Sequence, residues 1–141
     1  MSNEQYAFLT RSELPTLEQL QAKINSDPTF TLAIDPEVSL STTAGFVPCV
    51  ICGVESGVEI YFDDSPETMD QFADLVQGKD CCLVFCWRSD MVECACAMVL
   101  SYFLGEHYNA IISYDGEPPG SIEGLRDETI AVQEDAKLDL Q

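Results

Sequence analysis

The stretch CCLVFCWRSDMVECACAMVLSYFLG, residues 81–105, decides the fold of this chain. Cys81–Trp87 is almost continuously apolar, which predicts a central strand buried on both faces. Ser89 or Asp90 can cap a helix that follows this strand and runs to the end of the stretch. Because Cys94–Leu100 is apolar on every side, the helix is expected to be buried on more than one face. We therefore predict that it forms the centre of the core.

The residues downstream extend this unit. Ala110–Tyr114 predicts a further strand, so 81–114 forms a strand–helix–strand unit. Such a unit allows one parallel strand pair joined by a right-handed crossover. The Pro-Pro pair in 117–120 then breaks the chain, and apolar residues at helical spacing in 122–132 predict a weakly amphipathic helix. Residues 134–141 are expected to be loose.

The residues upstream predict a hairpin and a helix. Phe46–Cys52 and Val54–Phe62 are rich in β-forming residues, and the turn between the two strands lies near Gly53 or at Ser56-Gly57. A Ser-Pro pair opens a helix over 65–78, which a glycine ends.

The N-terminal part of the chain, up to Ile34, predicts one helix and one short strand. Thr16 and Gln19 form a capping-box pair ahead of an apolar stripe, which predicts a helix over 16–25. Alternating apolar residues in Thr29–Ile34 predict a short strand. Residues 1–12 carry no such pattern and are expected to form a loose lead-in.

These elements predict a single α+β domain over residues 1–141. We expect a sandwich in which a mostly antiparallel sheet of about five strands is covered by helices on one face. A chain of this length buries about two-thirds of its unfolded surface, which is enough for a proper core.

The charge of the chain is strongly negative. It amounts to −19, from 25 Asp plus Glu against six Lys plus Arg. Such a charge repels nucleic acid and anionic lipid and favours a basic protein partner, although a merely solvated surface has the same composition. No apolar stretch approaches the ~18 residues of a membrane span, and the N-terminal residues lack a signal-type pattern. We therefore expect a cytoplasmic protein that binds neither nucleic acid nor membrane.

The chain contains seven cysteines and one histidine. In a reducing compartment the cysteines are expected to be small buried hydrophobes. Cys49 and Cys52 match the C-x-x-C spacing, but on a strand their side chains point to opposite faces, so neither redox chemistry nor shared metal binding is expected. His107 is read as a surface residue after the third helix, although spacing leaves a cysteine–histidine pair open. We expect no cofactor and no metal.

The densest acidic group is the candidate partner-binding site. It comprises Asp63, Asp64, Glu67, Asp70 and Asp74. Charge complementarity to Lys and Arg on a partner would speed association, although a carboxylate stripe is also typical of a solvated helix face. Trp87 and Arg88 are added as interface anchors, with a core position as the stronger alternative for Trp87.

Two segments carry a family resemblance. They are GFVPCVICGVESGVEIYF at 45–62, and Phe85–Arg88 together with Glu93–Ala97. The combination resembles small acidic bacterial proteins of largely uncharacterised function, a group thought to include immunity proteins of secreted or contact-dependent toxin systems. The resemblance covers residues 13–115 and rests on apolar and glycine patterning. It implies a toxin inhibitor and assigns no site residue.

Three functions follow as hypotheses. The leading one is a non-enzymatic immunity protein that binds and neutralises a basic toxin, because the chain is acidic and carries no catalytic motif. The second is a structural or assembly module that forms a homodimer through its apolar strand–helix unit. The third is a small enzyme that uses a cysteine or a pair of carboxylates.

Overall fold

The computed structural model describes residues 3–76, 78–88 and 90–139, and within them six strands form one sheet. The strands are β1 (Asn3–Leu9), β2 (Leu32–Ile34), β3 (Ala44–Ile51), β4 (Val54–Asp63), β5 (Cys81–Trp87) and β6 (Ile111–Tyr114). The helices are α1 (Leu17–Asn25), α2 (Pro66–Gln71), α3 (Ala73–Val76), α4 (Met91–His107) and α5 (Ile122–Asp139). The predicted α+β class is confirmed, with six strands in place of about five.

The sheet order is β2-β3-β4-β5-β1-β6, and every neighbouring pair is antiparallel. The extra strand is β1, which pairs with β5 on one side and β6 on the other. The expectation that residues 1–12 are a loose lead-in is therefore wrong. The expected parallel pair in 81–114 is wrong for the same reason, since β1 lies between the two strands that α4 connects.

Helix α4 occupies the centre of the core, as the sequence predicts. Every residue from Ala95 to Leu104 is buried. Asp90 caps the helix, since its Oδ1 accepts hydrogen bonds from Val92 N at 2.8 Å and from Glu93 N at 3.4 Å. The alternative cap, Ser89, lies outside the described residues. The sheet face that packs against α4 is called the inner face here, and α1 and α5 both contact α4.

The opposite, outer face of the sheet carries α2 and α3. Phe72 lies between these two short helices, with its ring centroid 4.7 Å from that of Tyr6 and 5.5 Å from that of Phe8. Helices therefore lie on both faces of the sheet, and the expectation of one covered face is wrong. The single helix predicted over 65–78 is interrupted at Phe72, whose φ of −110° and ψ of 29° are not helical. The predicted cap is confirmed, since Ser65 Oγ accepts from Thr68 N.

The β3–β4 hairpin turns at Cys52 and Gly53, whose φ angles are 51° and 80°. Two successive positive φ angles match the twist of the flanking strands. The alternative turn at Ser56-Gly57 is wrong, because both residues lie within β4. The capping box of Thr16 and Gln19 at the start of α1 is confirmed.

Helix α5 is longer than the sequence indicates. It continues to Asp139, so residues 134–139 are not a loose end, and residues 140 and 141 lie outside the described part. Two side chains fasten it to the segment before β2. Gln133 donates to Thr29 O at 2.9 Å, and Arg126 donates to Asp27 Oδ2 at 2.8 Å.

Candidate partner-binding surface

Two of the predicted acidic residues serve the fold. Asp63 ends β4 and accepts hydrogen bonds from Ser65 N at 2.9 Å and from Thr68 Oγ1 at 2.6 Å. Burial opposes its ionisation, but these hydrogen bonds outweigh burial and lower the pKa of Asp63. Asp64 forms a salt bridge with Arg11. Both carboxylates therefore have intramolecular partners.

The other three acidic residues are solvated. Glu67 and Asp70 lie on α2 and Asp74 lies on α3, and all three are exposed. The interruption at Phe72 divides the predicted stripe into two short helices. Among the described residues the salt bridges are Arg11–Asp64, Arg126–Asp27 and Lys137–Glu134, so none of the three is paired. This acidic group supplies charge but no apolar contact area.

Trp87 and Arg88 do not join that group. Trp87 is 5% exposed and faces Tyr114, with 6.2 Å between the ring centroids. Its core position, the stronger alternative from the sequence, is confirmed. Arg88 is exposed, and its carbonyl oxygen accepts a hydrogen bond from Asn3 Nδ2 at 3.1 Å.

A different surface combines apolar and acidic side chains. Alternate residues of β2, β3 and β4 point to the outer face, where α2 and α3 do not reach them. We call this surface the open face. It consists of Ala33, Phe46, Pro48, Val50, Glu55, Glu59 and Tyr61. The largest exposed apolar side chains on it are Phe46 at 57%, Val50 at 40% and Tyr61 at 38%.

The pairing register shows how the open face meets the covered half of the outer face. Phe46, Glu59, Cys86 and Glu4 stand opposite one another on successive strands and form one row. Burial, Glu4 and Glu59 together raise the pKa of the Cys86 thiol to about 11. The row therefore begins with the exposed ring of Phe46, and further along it the protonated thiol of Cys86 lies between the carboxylates of Glu59 and Glu4.

Gly57 determines the shape of the open face. A Cβ atom at this position would lie 2.8 Å from Phe46 Cε2 and 2.5 Å from Val47 O. Because glycine has no side chain, the Phe46 ring can pack directly over Gly57 of β4. The ring is held in place by the sheet and still exposes one side to solvent.

The charge around these apolar side chains is negative. Glu55 and Glu59 lie on β4, and the Tyr61 hydroxyl donates to Glu59 Oε1 at 3.3 Å. Glu59 raises the pKa of Tyr61, as does partial burial. Asp35 lines a depression of about 690 Å³ beside Phe46 and Val50. None of the six Lys and Arg residues lies on β2, β3 or β4.

The cysteines contribute to packing. Burial and nearby acids raise the thiol pKa of Cys82 to about 12 and of Cys94 to about 11. The C-x-x-C pair is divided, since Cys49 is buried in β3 whereas Cys52 lies in the turn. Cys49 instead approaches Cys96 of α4, and its thiol together with burial raises the pKa of Cys96. No group of three or more metal-binding side chains occurs in the part of the chain that the structure describes.

His107 is the last residue of α4, so the expectation that it follows the helix is wrong, whereas its surface position is confirmed. It is exposed, and its ring stacks on Phe103 with 5.7 Å between centroids. This contact gives the histidine a packing role.

No known protein family, curated protein or solved structure matches the chain. Within the described residues, no helix has the length and apolarity that crossing a membrane requires. Fold and surface together define a six-stranded α+β domain that exposes an apolar sheet face with an acidic border.

Proposed function

We propose that this protein is a non-enzymatic inhibitor of the immunity type, which binds a basic protein through the open face. The observation that carries the proposal is the combination of Phe46, Val50 and Tyr61, all exposed, with Glu55 and Glu59 between them. Apolar residues in the middle of a surface patch with a polar rim are typical of protein interfaces.

The net charge of the chain indicates that its partner is basic. With a net charge of −19, the chain repels polyanions and attracts a surface rich in Lys and Arg. The acids of α2 and α3 follow β4 in the sequence and contribute charge but no apolar contact. We therefore assign them a role in attracting the basic partner before the complex forms. The apolar side chains of the open face then determine how long the complex lasts.

The state of the thiols supports a binding role. A thiolate is the nucleophilic form of cysteine, and burial raises the pKa of six of the seven thiols. All seven cysteines are free. We therefore place the inhibitor in the cytoplasm, where thiols stay reduced.

The homodimer hypothesis receives less support. Its expected interface, the apolar strand–helix unit, is largely buried within one copy of the chain, which leaves the open face as the apolar surface for self-association. Two copies that paired through their open faces would bring Glu55 and Glu59 of one copy towards those of the other. Repulsion between such surfaces weakens self-association at low salt. Light scattering at low and high salt separates the two cases, since a stable dimer at low salt favours the assembly module.

The experiment is co-expression with the product of the adjacent gene. We expect that product to stop growth when it is expressed alone, and the wild-type chain to restore growth. The F46S/V50S variant should fail to restore growth. The matched control E67Q/D70N, which alters exposed residues outside the open face, should still restore it. An adjacent product that is harmless, or that forms no complex with the chain, refutes the proposal.

A further inference from the structure

A cleft of about 780 Å³ opens on the side of the molecule away from the open face. It lies between the inner face of β1, β5 and β6 and one side of α5. Helix α1 covers the inner face near β2, where Gln21 donates to Leu32 O at 2.8 Å. Near β6 no helix fills the corresponding place within the described residues. The cleft volume is in the range of small-molecule sites.

The walls of the cleft are apolar. Met98 comes from α4, Ile112 from β6, and Leu125 and Val132 from α5. The Pro118–Pro119 segment forms part of the mouth. These walls fit an aliphatic or aromatic body better than a sugar or a nucleotide.

One buried polar group lies on the cleft lining. Gln5 is 3% exposed, and its Nε2 donates to Ser101 Oγ and approaches Met98 Sδ at 3.5 Å. The Ser101 hydroxyl donates in turn to Ala97 O at 2.8 Å, so it accepts from Gln5. The amide nitrogen is therefore occupied, whereas no hydrogen bond from the described residues reaches Gln5 Oε1. Because no fully buried side-chain oxygen or nitrogen among those residues lacks a partner, Oε1 is open to the cleft. This acceptor is left for a donor inside the cleft.

The rim of the cleft is acidic. Glu117 and Glu128 line it and are exposed. Burial and the charge of Glu128 both raise the pKa of Cys94, another lining residue, so the Glu128 carboxylate lies near this part of the wall. The lining contains no Lys, Arg or His. An anionic ligand is therefore disfavoured and a cationic group at the rim is favoured.

We infer that this cleft is a binding site for an arylalkylamine, a ligand with an aromatic ring, one ring N–H and an alkylammonium tail. The ring lies between Met98, Ile112 and Leu125, and its N–H donates to Gln5 Oε1. The ammonium group stays at the rim near Glu117 and Glu128, where it keeps part of its hydration. This site is separate from the open face and does not depend on a protein partner.

Calorimetric titration of the full-length chain with tryptamine tests the inference. We expect saturable 1:1 binding. 1-Methyltryptamine, which lacks the ring N–H, should bind about tenfold more weakly, because it displaces water from Gln5 Oε1 without supplying a donor. Indole-3-propionate places a carboxylate at the rim and should give no saturable heat. Equal binding of tryptamine and indole-3-propionate, or no binding of tryptamine, overturns the inference.

Variants locate the site. Q5M should remove the discrimination between tryptamine and 1-methyltryptamine. E128Q should weaken tryptamine about threefold, the size expected for an exposed charge pair. E123Q on the same helix removes an equal charge outside the cleft lining and should leave affinity unchanged. E128Q needs no buried change, so it remains informative even where Q5M does not fold. If E123Q weakens binding as much as E128Q, the cleft is not the site.

Discussion

Aromatic residues occur on both sides of the sheet, but they are buried on the inner side and partly exposed on the outer side. In the helix layer that covers the inner face, Phe103 of α4 is 1% exposed and makes an edge contact with Phe30 at 5.3 Å between centroids. On the outer face, Phe46 packs over Gly57 of β4 and is 57% exposed. Phe72 packs on the outer face against Tyr6 and Phe8. The comparison shows that stability comes mainly from the inner face, which leaves the uncovered outer face available for binding.

The largest expected effect is on the inner face. F103A should lower the free energy of unfolding by about 3–5 kcal/mol, because it removes a fully buried ring and leaves a cavity. F46A should change it by less than about 0.5 kcal/mol, as for other exposed positions. Urea unfolding of both variants measures this difference. A cost for F46A close to that for F103A would contradict the division between the two faces.

A glycine pair tests the packing of Phe46 on the sheet. G57A should destabilise the protein by about 1–3 kcal/mol, because the new methyl group overlaps the Phe46 ring and the Val47 carbonyl. Gly120 is the matched control, since no atom lies within 4 Å of the Cβ that alanine would add there. Thermal unfolding of the two variants should differ in that direction. If G57A is neutral, the ring does not lie on Gly57.

An ion pair between α5 and the segment before β2 gives a pH-dependent effect. Arg126 lowers the pKa of Asp27 chiefly by its hydrogen bond, and its guanidinium carbon lies 5.2 Å from the centroid of Phe30. R126M should cost about 1–2 kcal/mol at neutral pH. The pair Lys137–Glu134 is more exposed, so K137M should cost less than about 0.5 kcal/mol.

The sign of the pH dependence follows from the lowered pKa. The folded state holds Asp27 ionised more readily than the unfolded chain does. Its stabilisation is therefore complete above the ordinary aspartate pKa of 3.8 and is lost as the pH falls through the lower folded value. Melting temperatures of wild type and R126M should converge as the pH is lowered from 5 towards about 2. A gap that widens on acidification would contradict this assignment.

The last prediction concerns the order in which the thiols of the wild-type protein react, and it involves no variant. Cys52 lies in the hairpin turn and is partly exposed, so it should react first with a thiol reagent at pH 8. Cys82, with a pKa of about 12, should react only after the chain unfolds. Mass spectrometry of briefly labelled native protein gives the order. Rapid labelling of Cys82 would revive the cysteine-enzyme hypothesis.

The elements with strong local patterns could be predicted from the sequence. α4 is apolar on all sides and is the most buried helix, and the capping box of Thr16 and Gln19 marks the start of α1. β1 was missed because Glu4 and Gln5 interrupt its apolar pattern. Gln5 is buried nevertheless, since Ser101, far away in the chain, accepts a hydrogen bond from its amide nitrogen. Contacts of this kind are fixed by the tertiary structure and leave no local signal.

The candidate surface was predictable only in part. The acids of α2 and α3 are evident in the sequence, but the absence of a large exposed apolar side chain from the described residues of these helices is not. The open face did leave a signal, because Phe46–Ile51 is apolar on both faces of a strand that is not central. One apolar face of such a strand is buried and the other must be covered or exposed. Which of these occurs depends on how far α2 and α3 extend, and the interruption at Phe72 sets that limit.

The most direct test of the account is the affinity of two double variants for the protein that forms a complex with the wild-type chain on co-expression. Loss of two interface anchors costs about 2 kcal/mol or more per anchor, so F46S/V50S should bind at least about a hundredfold more weakly. E67Q/D70N removes only charge that steers the encounter and should bind within about threefold of wild type. Calorimetry at physiological salt gives both values. The opposite order, with F46S/V50S unaffected and E67Q/D70N strongly weakened, would place the partner on the acidic helices and contradict the role of the open face.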